Sequence, residues 1–230
     1  MSNEKGILYV MSTVVDGLIK VGKTGSDSFE QRMYILEHNG YCNITGLKKQ
    51  FAIEVDGYSE KELLFKKLFQ RSRVADTELY SLDLQQVITL LSSFEGKQIY
   101  PFNGTKKEVF EQASEAIESS SLLDGEYSLL STIKVGNKKE TVSGTLKVNN
   151  GVLTLLKGAH LASLSKITVK GYQQVRDDAP KENNILLVDI HCDSVSMAAA
   201  IVCGSNQNGW TKWKDKNGNY IDKYRNNSNE

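Results

Sequence analysis

The chain has 230 residues, of which 40% are hydrophobic and 24% charged, a balance that predicts packed structure and allows two ordinary domains. Its 28 basic and 28 acidic residues cancel, which excludes the overall basic excess that many nucleic-acid-binding proteins use. No stretch approaches the ~20 apolar residues of a membrane span. The N-terminus also lacks the charged-then-apolar pattern of a secretory signal.

The first hundred residues alternate short strand-like and helical segments. Residues 6–12 and 18–21 are rich in Ile, Leu and Val, and they predict two strands joined by a turn at Asp16-Gly17. The patterns that follow predict a helix over 29–38, a strand over 49–56, a helix over 60–70, a short strand over 78–82 and a helix over 83–94. Together they predict an α+β domain over 1–98, with a three-stranded, mainly antiparallel sheet flanked by helices.

Residues 99–121 are predicted to be a linker and a connector helix, because Pro101 precedes a helical pattern over 106–120. Residues 122–225 then predict a C-terminal, β-rich α+β domain, followed by a disordered tail at 226–230. Its strand-like segments are 126–134, 140–148, 152–156, 166–175 and 184–190. A small-residue helix over 194–203, with Ser194 as its N-cap, completes the pattern.

The three cysteines are Cys42, Cys192 and Cys203. Their odd number and the lack of metal-like spacing predict reduced thiols in a cytoplasmic protein that does not contact a membrane. Two local basic patches, 61–73 and 212–225, are the places where a neutral chain could contact DNA, although solvated faces explain such patches more often.

Four residues of the N-terminal domain carry the functional groups that phosphodiester hydrolysis needs. Glu62 could hold one Mg²⁺ ion, which tolerates few protein ligands because it keeps several waters. Arg32 could bind the phosphate with two parallel hydrogen bonds. Tyr9 could accept a proton from the attacking water, provided that a cation such as Lys20 lies near its hydroxyl.

Neighbouring residues could support this chemistry. Lys23 is a second cation in the same segment, and Gly22 would let the backbone approach the substrate closely. Each residue also has a simpler explanation. Gly22 is compatible with a bulge, and a strand tyrosine such as Tyr9 usually packs at the edge of a core. Glu62 has an i,i+4 partner in Lys66 and stands where a capping box begun at Ser59 would place a glutamate.

Residues 6–82 resemble the GIY-YIG nuclease superfamily, most closely the branch found in phage reading frames and in a meiotically up-regulated fungal gene family. Ile7-Leu8-Tyr9 matches the first motif and Lys20-Val21-Gly22 matches the second. Arg32 matches the helix arginine, and ELLFKKLF over 62–69 matches a Glu-led helix. RVADTELY over 73–80 matches the ending, with Glu78 and Tyr80 in its last places. The resemblance implies a DNA endonuclease with Mg²⁺ or Mn²⁺ held by Glu62.

Three positions depart from that family's pattern. Lys20 stands where most members have the second tyrosine, and Lys66 stands where the branch often has histidine. These two changes leave the identity of the general base open. Leu79 replaces the usual tryptophan, which we interpret as a change in packing. Tyr9 and Glu62 are retained, so the resemblance still favours an active enzyme.

The C-terminal residues 194–225 resemble an uncharacterised domain that often follows GIY-YIG nucleases in bacteria. Leu156-Lys157-Gly158-Ala159 matches its upstream signature. The Gly-Trp-x-x-Trp ending also resembles the restriction-enzyme adenine-methylase associated (RAMA) domain. Both resemblances imply contact with DNA. Trp210 and Trp213 could stack on bases while Lys212 reaches a phosphate, but two core tryptophans closing a small β domain are an equally simple explanation.

Two functions therefore compete. The leading hypothesis is a metal-dependent DNA endonuclease of restriction or mobile-element type. The alternative is a non-catalytic DNA-binding or modified-base-reading protein with a decayed nuclease domain, and an unrelated interaction scaffold ranks last. A homodimer remains open for either function. The first two hypotheses differ in whether Tyr9, Lys20, Arg32 and Glu62 converge on one cleft.

Overall fold

The computed structural model describes residues 4–38, 46–135 and 138–225. The chain divides into two compact units, Met1–Ser114 and Glu115–Glu230. The predicted α+β class is confirmed, with antiparallel sheets in both regions. Cys42 and the predicted tail at 226–230 lie outside the described residues. Within the described ranges, no helix has the length and apolar content needed to cross a membrane.

The first unit is built on one antiparallel sheet with helices on both faces. In chain order its elements are β1 (Lys5–Ser12), β2 (Leu18–Thr24), α1 (Phe29–His38), β3 (Lys48–Asp56), α2 (Tyr58–Leu68), β4 (Leu79–Ser81), α3 (Leu84–Ser93), β5 (Lys97–Tyr100) and the beginning of α4 (Lys106–Ser120). The strand order is β4-β2-β1-β3-β5. The short strands β4 and β5 at the two edges extend the predicted three-stranded sheet to five.

The two faces of this sheet hold separate cores because side chains alternate along each strand. On β1, Ile7, Tyr9 and Met11 pack with α1. Leu8 and Val10 face the other way and pack with α2 and α3. Burial of both faces explains why β1 is almost continuously apolar rather than alternating.

The start of α2 differs from the predicted capping box. The N-cap is Gly57, with a φ of 62°, and no side chain caps the helix. Because the helix begins at Tyr58, Glu62 is its fifth residue, more than a turn from the N-cap. Glu62 is instead 8% exposed, which excludes the interpretation of this glutamate as an ordinary surface residue.

The second unit contains a four-stranded antiparallel sheet whose strand order is β11-β8-β7-β6. Its elements are the end of α4, β6 (Gly125–Val135), β7 (Lys138–Asn149), β8 (Val152–Leu155), α5 (Lys170–Asp178), β9 (Lys181–Glu182), β10 (Ile185–Leu186), β11 (Ile190–Cys192) and α6 (Val195–Cys203). The predicted helix and its cap are confirmed, since the Ser194 side chain accepts a hydrogen bond from the Met197 amide. All nine residues of α6 are buried, and α6 forms the centre of this core.

Two predicted strands of this unit are wrong. Residues 166–175 contain the start of α5 instead of a strand, because burial favours a helical face that carries Tyr172, Val175 and Arg176. Arg176 is buried, and its guanidinium donates to the carbonyl oxygens of Ile201 and Ala162. The second segment, 184–190, holds only the two-residue strand β10 and the first residue of β11.

Gly209 allows the chain to touch the start of α6. A Cβ built at Gly209 would lie 2.3 Å from the carbonyl carbon and oxygen of Val195. The Gly209 amide donates to Ser196 Oγ at 2.8 Å, and Trp213 Nε1 donates to the Val195 carbonyl oxygen at 2.9 Å. The glycine of the Gly-Trp-x-x-Trp ending is therefore required by packing.

We expect Gly209→Ala to lower the stability of the second unit by about 1–3 kcal/mol, since the added methyl group must displace backbone atoms. The chain has two tryptophans, at 210 and 213, so tryptophan fluorescence reports the unfolding of this unit. Gly171→Ala is the matched control. Its added Cβ meets nothing within 4 Å, and alanine favours helix α5. Equal unfolding midpoints for the two variants would contradict this packing role.

Candidate functional site

The β1–β2 register places Tyr9 directly opposite Gly22. The buried Tyr9 ring lies across the glycine, so that a Cβ built on Gly22 would be 2.5 Å from the Tyr9 hydroxyl oxygen and 2.7 Å from Cζ. Such distances are far below van der Waals contact, so glycine is what leaves room for the ring. Gly22 therefore positions the Tyr9 hydroxyl.

Arg32 reaches the same hydroxyl from α1. Its Nε–H donates to the Tyr9 hydroxyl oxygen across 3.4 Å. The helix is held over this face of the sheet by the buried side chains of Phe29, Met33 and Leu36. Tyr9 and Arg32 thus form one group of the predicted site, with a planar guanidinium that can bind two phosphate oxygens at once.

Lys20 is completely buried, and its ammonium forms an ion pair with the carboxylate of Glu78. The register places Lys20 opposite Leu79, so Glu78 stands at the beginning of β4. Lys20 is also the diagonal neighbour of Tyr9 on the same sheet face. A buried ammonium requires a charged or hydrogen-bonding partner, which Glu78 supplies. The role of Glu78 escaped prediction because a pair separated by 58 residues leaves no local pattern.

Glu62 lies between two ammonium groups. Its Oε1 is 2.8 Å from Lys66 Nζ, and its Oε2 is 3.5 Å from Lys23 Nζ. Lys23 Nζ also donates to Ser59 Oγ at 2.9 Å. The predicted i,i+4 pair of Glu62 and Lys66 is present. Glu62, Lys23 and Lys66 form the second group of the site.

The hydrogen bond that Lys66 donates to the Glu62 carboxylate raises the pKa of Lys66 above its usual value. Lys66 is therefore an ammonium at neutral pH and contributes charge, not a proton acceptor. Burial raises the pKa of the nearby Tyr80 hydroxyl, although the Lys66 charge opposes the shift. Tyr80 is thus a neutral phenol near Glu62 and Lys66. The match of RVADTELY over 73–80 to a family motif did not predict this position.

The two groups lie on opposite faces of the sheet, next to the consecutive β2 residues Gly22 and Lys23. Tyr9, Gly22 and Arg32 belong to the α1 face. Lys23 and Glu62 belong to the α2 face, because Lys23 alternates with Gly22 and α2 packs on that side. Strand β4 pairs with β2 only over Leu18–Lys20. Among the described residues, no strand pairs with the outer edge of β2 beyond Lys20, so both faces are adjacent at this edge.

The charges around this edge are predominantly positive. The site contains four cationic side chains, Lys20, Lys23, Arg32 and Lys66, against the two carboxylates Glu62 and Glu78. Such an excess of cations in a chain with no net charge is electrostatically suited to an anionic group. A phosphate group would balance the excess.

Glu62 is the residue of this site that fits a divalent cation. The described residues contain no cluster of three His, Cys, Asp or Glu side chains of the kind that forms an all-protein metal site. Mg²⁺, however, is commonly held by one or two carboxylates together with waters and substrate phosphates. Glu62 fits that mode, since its two neighbouring lysines would turn to an arriving phosphate when the carboxylate bound the cation.

The tryptophans predicted to stack on bases are in the core instead. Trp210 is 2% exposed and Trp213 is 0% exposed, so neither ring presents a face to a ligand. The prediction failed because burial of these large rings against α6 stabilises the second unit. Lys212 lies between them and remains half-exposed. Arg225 contacts the Trp210 ring, with Cζ 5.5 Å from its centroid.

A comparison with protein families finds one domain in the second unit. Residues 135–225 match the family described as "Domain of unknown function (DUF4357)". This match is consistent with the predicted C-terminal accessory domain. Neither a GIY-YIG nor a RAMA family matches, so those resemblances stay predictions. Neither a curated protein nor a solved structure matches the chain.

Asp215 fixes the turn that follows the second tryptophan of the DUF4357 region. Its Oδ1 accepts from the amides of Asn217 and Asn219 at 2.9 and 3.0 Å. Its Oδ2 accepts from Lys223 Nζ at 2.6 Å and from the Tyr224 hydroxyl at 2.9 Å. These bonds, that from Lys223 above all, hold the pKa of Asp215 well below its usual value.

A depressed pKa in the folded state means that Asp215 stabilises the DUF4357 region above the ordinary aspartate pKa of about 3.9 and loses this effect as pH falls further. We expect Asp215→Asn to lower the tryptophan-monitored unfolding temperature at pH 7. Because the carboxylate is gone, the unfolding temperature should also fall less between pH 4 and pH 2 than in the wild type. The exposed Asp222→Asn is the control. An unchanged acid profile in Asp215→Asn would contradict the assignment.

Proposed function

We propose that the N-terminal unit is a divalent-metal-dependent DNA endonuclease that hydrolyses phosphodiester bonds, of restriction or mobile-element type. The observation that carries this proposal is the position of Glu62, a mostly buried carboxylate held between two ammonium groups beside the outer edge of β2. On the other face of the sheet, Arg32 hydrogen-bonds the buried Tyr9 hydroxyl beside Gly22 of the same strand. The cationic excess suits a phosphate, and the single carboxylate suits a cation that keeps its waters.

The residues have separate roles in this proposal. Arg32 binds the phosphate oxygens and neutralises the charge that develops on them. Tyr9, which is hydrogen-bonded to Arg32 and is a neighbour of Lys20, acts as a phenolate. It takes a proton from the attacking water and becomes a neutral phenol, while the water oxygen bonds to phosphorus and the bond to the leaving oxygen breaks. Lys23 and Lys66 balance the phosphate charge from the α2 face. When bound at Glu62, the metal ion would polarise a phosphate oxygen and acidify its water.

Supercoiled plasmid is the substrate that tests this function. The purified full-length protein is expected to nick or linearise the plasmid with Mg²⁺ or Mn²⁺ and to leave it intact in EDTA. Glu62→Ala is expected to leave the plasmid intact under all conditions. Equal cleavage by this variant would contradict the proposal, because contaminating nuclease or another site would then explain the activity.

A second function has one observation in its favour. Both carboxylate oxygens of Glu62 face an ammonium group, and Lys20 is paired with Glu78, so both carboxylates of the site are already engaged in internal ion pairs. A decayed site in a non-catalytic DNA-binding or modified-base-reading protein would have this appearance. Such a protein binds the plasmid but does not cut it with any divalent metal.

A further inference from the structure

The β6–β7 hairpin is the longest paired element of the second unit. The two strands pair over eleven positions, from Gly125 opposite Val148 to Val135 opposite Lys138. The neighbouring strand β8 pairs with β7 only over Leu146–Asn149, close to the base of the hairpin. The other edge of β7 also pairs with His160 at Ser143. The part of the hairpin beyond this bridge is therefore a two-stranded ribbon, which we define as Ser131–Val135 with Lys138–Val142.

One face of the hairpin packs against the core and the other is exposed. Leu129 and Val142 are buried in the core that contains α6. On the exposed face, the register places Leu130 opposite Ser143, Thr132 opposite Thr141 and Lys134 opposite Lys139. Successive rows are about 7 Å apart, since each spans two residues of a strand. Moving outward, the rows change from an exposed apolar side chain to hydroxyls and then to cations.

The outermost row places like charges directly opposite each other. Lys134 and Lys139 are both exposed, and among the described residues neither forms an ion pair. Like charges in this arrangement destabilise a pair of strands. At the base of the same face, by contrast, Lys147 lies opposite Glu126, where opposite charges attract.

The nearest carboxylate does not neutralise this pair. Glu140 belongs to the other face of the hairpin, opposite Ile133. Its two oxygens accept from the amide and the hydroxyl of Ser163, at 2.9 and 2.5 Å. These bonds lower the pKa of Glu140 and commit the carboxylate to Ser163. The exposed face of the ribbon therefore presents two uncompensated ammonium groups, those of Lys134 and Lys139.

Protection of an edge strand does not require such a pair. Lysines are common on edge strands because they prevent pairing with other chains. One lysine on β6 serves that purpose, whereas a second one opposite it only weakens the hairpin. An anionic partner that binds both ammonium groups explains the pair.

We propose that the exposed face of this ribbon binds duplex DNA, with Lys134 and Lys139 on backbone phosphates and the hydroxyls of Thr132 and Thr141 behind them. A two-stranded ribbon fits the major groove, which is about 12 Å wide. The row spacing of about 7 Å corresponds to two base-pair steps of about 3.4 Å. The choice of DNA as the partner rests on the proposed nuclease function.

The other candidate surface for DNA is the basic patch at 212–225. Most of its cations already contact other side chains of the protein. Lys223 is bound to Asp215, and Arg225 pairs with Glu118. Lys214 Nζ lies 4.7 Å from the centroid of the Tyr220 ring. The remaining lysines of the patch are Lys212 and Lys216. Lys157 and Lys166 are exposed and form no ion pair among the described residues, so they provide a control of equal charge change within the same unit.

The test is binding of a fluorescent 30-base-pair duplex by the full-length protein in EDTA, over 50–200 mM salt. The double variant Lys134→Ala/Lys139→Ala is expected to bind at least about tenfold more weakly and to lower the salt slope by about 2, because two phosphate contacts are lost. Lys157→Ala/Lys166→Ala is expected to bind within about twofold of the wild type, because neither lysine lies on the ribbon. Equal losses in both variants, or none in the first, would overturn the proposal.

A third variant separates binding from folding. Lys134→Glu creates an opposed pair with Lys139, like that of Glu126 and Lys147, so the hairpin should gain stability while DNA binding falls. Unchanged DNA binding by a folded Lys134→Glu protein would also overturn the proposal.

The result is distinguishable from failure of the nuclease. If binding depends on the ribbon but no metal supports cleavage, only the nuclease assignment is wrong. If the wild type cleaves and Lys134→Glu binds and cleaves equally well, only the ribbon assignment is wrong.

Discussion

Glu62→Gln is expected to lower the rate of plasmid cleavage by at least about 100-fold, the scale on which loss of a preorganised electrostatic group acts. Glutamine has the shape of glutamate and can still accept from Lys66, but it lacks the negative charge that attracts a divalent cation. The carboxylate is also the group that both Lys23 and Lys66 face. Its loss therefore leaves Lys23 and Lys66 without the carboxylate between them, and their positive charges repel the metal ion.

The loss of activity should not come from unfolding. The side chains of Lys23 and Lys66 are 35% and 36% exposed, so solvent screens their charges after the substitution. We expect the thermal stability of Glu62→Gln to change by no more than about 1 kcal/mol. Glu60→Gln, at an exposed position of the same helix, is the matched control and should cleave like the wild type.

Gly22→Ala is expected to lower cleavage about 100-fold through a different cause. The added methyl group would lie 2.5 Å from the Tyr9 hydroxyl oxygen, so the ring must move away from Arg32. A displacement of about 1 Å at a reacting group is enough for an effect of this size. The same overpacking should reduce the stability of the first unit by about 1–3 kcal/mol.

Gly25→Ala is the control for that substitution. Gly25 follows β2 with a φ of −66°, and a Cβ there meets nothing within 4 Å. Cleavage by Gly25→Ala should match the wild type when the two proteins are equally folded, as judged by circular dichroism. Wild-type activity in Gly22→Ala would show that the position of the Tyr9 ring does not matter for the reaction.

The local order of the first unit could be predicted because its signals are local. Short runs rich in Ile, Leu and Val predicted β1 and β2, and the periodicity of residues 83–94 predicted α3. The same is true of α6, where Ser194 precedes a run of small apolar residues. In each case the residues that form the element also carry its pattern.

The errors lie where distant contacts decide the structure. Residues 167–169 are β-branched or apolar and favour a strand, but burial of Arg176 against two carbonyl oxygens requires the helix α5. The capping box predicted at Ser59 is absent, because the helix begins at Tyr58 with Gly57 as its N-cap. Local pattern is a weak guide when tertiary packing opposes it.

Some features of the candidate site could be predicted from the sequence, and others depend on contacts between distant residues. Tyr9, Arg32 and Glu62 were predicted from their order along the chain. That order did not show that Tyr9 and Arg32 belong to the α1 face of the sheet and Glu62 to the α2 face. The pairing of Lys20 with Glu78 and the need for glycine beneath the Tyr9 ring depend on strand register. The sequence left two explanations of the tryptophans open, because a stacking platform and a core aromatic pair have the same sequence pattern. The structure places both rings in the core.

The role of Glu62 is tested most directly by the rate of plasmid cleavage as a function of Mg²⁺ concentration for three proteins, the wild type, Glu62→Gln and Glu60→Gln. If Glu62 holds the metal ion, cleavage by the wild type and Glu60→Gln depends on the metal, and Glu62→Gln is at least about 100-fold slower at saturating metal. Metal-independent cleavage, or equal rates for all three folded proteins, would contradict the assignment of Glu62 and with it the proposed nuclease.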